Sequence, residues 1–213
     1  RKESGKLIYK EKADSEDGYL GMYLFLMGKY LEKTENTDLP EYWKKGISLA
    51  LKKIQSLMQD GITQVSEENT TVYLMDNLEV WKGLYELEHA GLKDMQAVSE
   101  MRKKLQAQIE KLFWDDANQR WRIIGNSDLY DQTEFYPDGV AQIYPLIYEF
   151  PVKEKKKQKV LYDQFTERFQ WQKLNKKRTG FLWAMTGMAA AQMRDINNLV
   201  ELIRNYETEY CEN

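Results

Sequence analysis

The chain has few of the residues that disulfides, metal sites and membrane spans require. Among its 213 residues there is one cysteine and one histidine. Cys211 has no partner for an intrachain disulfide, so cysteine usage leaves the redox compartment open. His89 alone makes no two-histidine metal site and fits poorly with a Ser-His-Asp triad. Acid–base chemistry therefore falls to carboxylates, and no metal or cofactor is expected. Only four prolines interrupt the chain, which leaves long stretches free to be helical. The longest apolar run, Gly18 to Gly28, stops at Lys29, well short of the roughly 20 residues that span a bilayer. It reads as a buried helix, with no membrane partner. A net charge of −3 gives no general pull toward nucleic acid.

What is present is the mixture of a soluble globular chain, 42% hydrophobic and 31% charged, long enough for one core. A single domain over residues 1–213 is expected. Fourteen tyrosines and six tryptophans are abundant for this length. Such flat, amphipathic rings suit helix packing and stacking on sugar faces alike.

Apolar spacing divides the chain into about eight helices of two alternating kinds, so the fold class is all-α. The first, about Asp17 to Lys33, is apolar or aromatic almost throughout and must be covered on both faces. The second, about Pro40 to Gln59, sets Trp43, Ile47, Ala50, Ile54 and Leu57 against a lysine-rich side, the pattern of an outer helix. The alternation repeats as Tyr73–Glu88 with Asp94–Phe113, Pro137–Phe150 with Glu154–Phe169, and Thr179–Met193 with Asp195–Tyr210. Linkers within a pair are short and make hairpins. Those between pairs are long and carry β-like stretches such as Arg120 to Ile124. The first pair lengths, near 60 residues, exceed the roughly 34 of tetratricopeptide and the 40 to 47 of HEAT repeats. A toroid of antiparallel helix hairpins is the expected architecture.

Each inner helix opens with polar residues and rings. The starts hold Asp14, Asp17 and Tyr19, then Tyr73, Asp76, Glu79 and Trp81, then Glu134, Tyr136 and Asp138, and last Trp183. Helix N-termini favour acids in any case, through capping and the helix dipole, by roughly 0.5–2 kcal/mol per cap. Capping leaves unexplained the Tyr or Trp beside the acids at three inner starts, the outer helices being read as beginning with plainer residues. Glycosidic cleavage commonly uses two carboxyl groups about 5–5.5 Å or 6.5–9.5 Å apart. Asp17, Asp76 and Asp138, on three inner helices, are the candidate catalytic acids. Glu79 lies one turn beyond Asp76 on the same face. Burial beside Trp81 would raise its pKa toward that of a proton donor, and a buried structural hydrogen bond is the competing role.

The segments DSEDGYLGMYLFLMGKYLEKTEN, YLMDNLEVWKGLYEL, LFWDDANQRW and EFYPDGVAQIYPLIY resemble the six-hairpin glycosidase superfamily of (α/α)6 barrels. The nearest likeness is to bacterial family 8-like glycoside hydrolases, and it covers about Asp14 to Phe150. The resemblance implies a partial barrel with an oligo- or polysaccharide partner, a secreted or cell-surface setting being favoured over the cytoplasm. It implies that Asp17, Asp76 and Asp138 line a sugar cleft with Tyr136 and Trp183 as stacking platforms. Tyr19, Tyr73, Glu79, Trp81 and Glu134 complete the expected binding set. Six hairpins make such a barrel and about four are visible here, so an N-terminal segment, removed or on a separate chain, is expected as a partner. A noncatalytic helical-repeat module that binds a glycan or a protein is the alternative. A sugar isomerase ranks last, because such enzymes by resemblance depend on histidines.

Other features carry less. The lysine run from Lys153 to Lys159 reads as a solvated face. Asp115, Asp116 and Asn118 read as a turn between Trp114 and Trp121 rather than a calcium loop. His89, near a helix end, is expected to be structural.

Overall fold

The computed structural model describes residues 14–35, 38–125, 127–152, 155–173 and 184–210, the backbone alone at 155, 209 and 210, together with two short paired strands, β1 (Lys2–Glu3) and β2 (Lys6–Leu7). The protein is all-α, and among the described residues the strands are two residues long. Helix α1 (Glu16–Thr34) begins where Ser15 caps it: Oγ accepts the Gly18 N–H at 3.1 Å. It ends at Glu35 in the left-handed region. Helix α2 (Glu41–Leu57) follows Pro40 and buries Ile47, Ala50, Ile54 and Leu57, the stripe the spacing predicts. It stops short of Gln59 because β3 (Met58–Gln59) pairs antiparallel with β4 (Ile62–Thr63). Asp60 and Gly61 both take positive φ between them, the geometry of a tight hairpin turn.

Helices α3 (Leu74–His89) and α4 (Gln96–Phe113) form the next pair, followed by β5 (Trp114–Asp115) and β6 (Arg120–Trp121). The next helix was expected from Pro137 and starts instead at Val140, as α5 (Val140–Ile147). Tyr136, preceding proline, is held extended (φ −131°, ψ 134°), since a residue before proline is driven out of the helical region. A wide turn, Phe135–Gly139, closed by Gly139 N–H to the Glu134 carbonyl at 3.1 Å, takes up the difference. After Ile147 the chain turns through Glu149 at φ 56°. Helix α6 (Lys155–Phe169), the short turn Trp171–Lys173, α7 (Thr186–Met193) and α8 (Ile196–Tyr210) follow. The expected helix start at Thr179 lies outside the described residues. In α8, Leu202 is buried while Ile196, Val200 and Ile203 are exposed.

Glycine decides how α1 meets α3. A Cβ on Gly21 would lie 2.6 Å from the Val80 nitrogen, one on Gly28 would strike Glu86, and one on Gly83 would fall on the Gly21 carbonyl oxygen. The two backbones touch, which only glycine permits. Gly18 lies beside Asp76 and Glu79, Gly21 beside Val80 and Gly28 beside Glu86, so the helices run parallel. Helix α5 adds to the row in the same direction, with Tyr144 against Glu79 and Glu149 against Lys82, and Gln192 of α7 donates to Glu149 at 2.6 Å.

The N-terminal end of this row is stitched by the long linkers. Glu16 N–H donates to Val65 O, Leu74 N–H to Ile123 O and Gly125 N–H to Val72 O, each at 2.9 Å. At the other end an ionic string runs from Lys29 to Glu86 (2.9 Å), Glu86 to Lys82 (2.9 Å) and Lys82 to Glu149 (2.8 Å). Among the described residues no helix is long and apolar enough to cross a membrane.

Candidate functional site

Two parallel helix starts and one linker build an acid cluster at the stitched end. Ser15, besides capping α1, donates to Asp17 Oδ1 at 2.9 Å. Asp17 is fully buried, and its Oδ2 accepts the Thr63 hydroxyl at 2.7 Å. Thr63 in turn is tied to Asn77 of α3. Its N–H donates to Asn77 Oδ1 at 2.9 Å and its carbonyl accepts from Asn77 Nδ2 at 3.0 Å. The Thr63 hydroxyl is also 2.9 Å from Asn77 Oδ1. It has one proton, so it serves Asp17 when that group is ionised and is free for Asn77 when Asp17 carries its own. Desolvation raises the Asp17 pKa, and hydrogen bonds from Thr63, Ser15 and the Gly18 amide pull it back.

Asp76 and Glu79 stand beside this tie, one turn apart on α3. Desolvation lifts the Asp76 carboxyl to about 7, with the charges of Asp17 and Glu79 adding to it. Glu79 is also lifted to about 7, chiefly by burial, against the hydrogen bond from Tyr144. Its Oε1 accepts the Tyr144 phenol at 2.8 Å and lies 3.5 Å from that of Tyr148. Its Oε2 faces the first turn of α1, where a Cβ on Gly18 would come within 2.6 Å of it. Tyr136 lies over the cluster, half exposed, and its phenol pKa is raised by burial and then by the charges of Asp76 and Glu79. Tyr73 is half-buried at the start of α3, and Tyr19 projects from α1 at 73% exposure.

Two carboxyl groups held near neutrality can divide one proton between them at ordinary pH, one acting as donor and the other as base.

The expected site residues are therefore only partly gathered. Asp17, Asp76 and Glu79 come together, with Tyr136 above them. Asp138 turns elsewhere: its Oδ1 accepts the Asp131 N–H at 2.7 Å and its charge bears on Tyr130. The late start of α5 is the cause, since the wide turn carries Asp138 one side and Tyr136 the other. Glu134 is exposed, and its carbonyl closes that turn. The expectation of a cleft-lining Trp81 is corrected. It is 2% exposed, stacked on Tyr85 (5.5 Å between centroids) and edge-on to Phe150 (5.0 Å), because α3 is covered on both faces. Trp183 lies outside the described residues, as does Cys211.

Three members of the cluster went unnoticed in the sequence: Thr63, Tyr144 and Tyr148. Only the tyrosines left a signal, a pair four residues apart on an otherwise uncharged helix. Asp115 accepts from the Asn118 N–H and side-chain amide (3.2 and 2.8 Å), a turn as expected.

Compared with known proteins, the chain matches no family model, no curated protein and no solved structure.

Proposed function

We propose that this chain is the working part of a carbohydrate-active protein, a glycoside hydrolase that cleaves an oligo- or polysaccharide at the acid cluster. The observation that carries the reading is the pair Asp76 and Glu79, both lifted to about 7 and one of them held by a phenol. Glycosidic cleavage needs one protonated carboxyl for the leaving oxygen and one ionised carboxyl to activate water or attack carbon. A shared burial that keeps a proton on the pair near neutrality supplies that division. In this reading Asp17 is the anchor that sets α1 against α3, and the exposed rings of Tyr19 and Tyr136 are platforms for sugar faces. Asp138 serves the turn before α5.

The same reading takes the row of parallel helices as part of a closed ring of hairpins, completed by a preceding segment or a separate chain. Tyr19 and Leu26, 73% and 64% exposed and seven residues apart on α1, support an additional neighbour there. Mass measurement of the natural product tests this.

A reducing-sugar screen over neutral and acidic polysaccharides tests the chemistry. Release by the wild type, lost in Asp76→Asn and Glu79→Gln, is the expected result. Release that persists in both variants overturns the site. The two exposed tyrosines also fit a noncatalytic glycan-binding module, and glycan-array binding without release by any preparation favours that second reading.

A further inference from the structure

Away from the acid cluster, a cavity of about 230 Å³ opens between the end of α4, the β5–β6 hairpin and the start of α6. Two indoles wall it. Trp114 and Trp121 meet edge to face, 5.1 Å between centroids. Trp121 is 2% exposed and its backbone is clamped by Gln142, which accepts its N–H at 2.8 Å and donates to its carbonyl at 2.9 Å. Among the described residues its indole Nε1–H nevertheless has no hydrogen-bond partner. A buried donor left unpaired costs about 1–3 kcal/mol, and a ligand acceptor would recover that.

The other walls narrow the ligand. The Lys157 ammonium already sits over the Trp114 ring, 5.1 Å from its centroid, and lies 3.3 Å from Asp116 Oδ1. A cationic ligand would meet a ring face that is taken. Among the described residues Glu110 and Asp116 stand against Lys157 in the lining, a negative balance that disfavours an anionic ligand as well. A neutral molecule remains, with an oxygen to accept from Trp121 and hydroxyls to donate to carboxylates. The cavity is smaller than the roughly 300–1,000 Å³ of drug-sized sites, which limits it to one ring.

We propose that this cavity is a subsite for a single neutral pyranose ring, its hydroxyl oxygen accepting from the Trp121 indole N–H. The choice of a sugar over other neutral rings rests on the carbohydrate reading of the acid cluster. Without a role for the cluster the cavity is still a neutral-ring site.

The test is to follow the indole N–H signals of Trp114 and Trp121 by NMR in the intact chain. The probes are glucose, galactose, mannose and N-acetylglucosamine, with glucuronate, tetramethylammonium and cyclohexanol as controls. A saturable downfield shift of the Trp121 signal with at least one neutral sugar is expected. Glu79→Gln should leave it unchanged, and Val152→Phe, which narrows the cavity while keeping Trp121, should weaken it at least tenfold. Trp121→Phe should weaken sugar binding at least tenfold by calorimetry. Saturation by glucuronate or tetramethylammonium alone, by cyclohexanol alone, or by no probe overturns the proposal. Loss of the shift in Glu79→Gln overturns it too, because the sugar would then be at the acid cluster. A shift that survives in a protein without hydrolytic activity upholds the subsite and counts only against the hydrolase reading.

Discussion

The Tyr144 phenol donates a 2.8 Å hydrogen bond to Glu79 Oε1, joining α5 to α3 across 65 residues of chain. That bond favours the ionised carboxylate and opposes the burial that lifts Glu79 to about 7. Tyr144→Phe keeps the ring and removes the donor, so the Glu79 pKa should rise further. If Glu79 is the proton donor, the alkaline limb of the pH profile of kcat/KM moves upward, while kcat drops about tenfold from lost positioning. An alkaline limb that stays fixed or moves down would exclude Glu79 from that role.

The raised carboxyls also set the pH dependence of stability. Asp76 goes from its ordinary 3.8 to about 7 in the fold, so between about pH 4 and 7 the folded state holds protons that the unfolded chain has lost. Stability therefore falls as pH rises through that window and levels off above it. Asp76→Asn removes the ionisation, and at pH 8 it should stabilise the protein by about 1–2 kcal/mol after solvent screening, roughly 3–6 °C in Tm. The gain should vanish near pH 4. Thermal melts of both proteins from pH 4 to 8 check this; equal Tm differences at both ends contradict the assignment.

Gly18 and Gly83 both allow α1 and α3 to touch, with different consequences on substitution. A Cβ on Gly83 meets backbone, the Gly21 carbonyl, so Gly83→Ala should cost about 1–3 kcal/mol by overpacking. A Cβ on Gly18 meets two side chains, Glu79 Oε2 at 2.6 Å and Ser15 Oγ at 2.8 Å. Gly18→Ala should therefore leave a folded protein with a displaced Glu79 and at least tenfold lower turnover. Urea unfolding beside steady-state rates separates the two.

Lys82, 7% exposed at its side chain, pairs with Glu86 and Glu149 at the far end of the row. Lys82→Met takes one of its two cations from the equally buried Glu86, leaving Lys29 at 2.9 Å, and should cost about 1–3 kcal/mol. Adding Glu86→Leu should restore most of it, since apolar residues of similar volume replace buried pairs at little cost. A double variant as unstable as the single one would show that packing of the lysine stem, not its charge, is what matters.

Much of the fold is legible in the residues. The three- and four-residue spacing from Ile47 to Leu57 marks an outer helix, as found, whereas the unbroken apolar character of Tyr19 to Met27 predicts cover on both sides and α1 leaves Tyr19 and Leu26 73% and 64% exposed. The site is only half legible, because helix starts locate acids along the chain and say nothing of where a carboxyl turns. Asp138 was drawn away by a turn that Pro137 imposes on Tyr136. Trp81 lies on α3 away from the polar stripe Asp76, Glu79, Lys82 and Glu86, and its ring type alone does not say whether it faces a cleft or a core. Thr63 sits in a linker, where no periodicity points to a buried partner 46 residues away.

The two ends of the helix row are held differently, chiefly by backbone hydrogen bonds at the acid cluster and by a string of ions at the opposite end. Salt weakens the second and spares the first. The partial exposure of Lys29 and Glu149, 39% and 55%, leaves their ions open to it. In brine the row should splay from the foot like a fan pinned at its top edge, with the mouth keeping its shape.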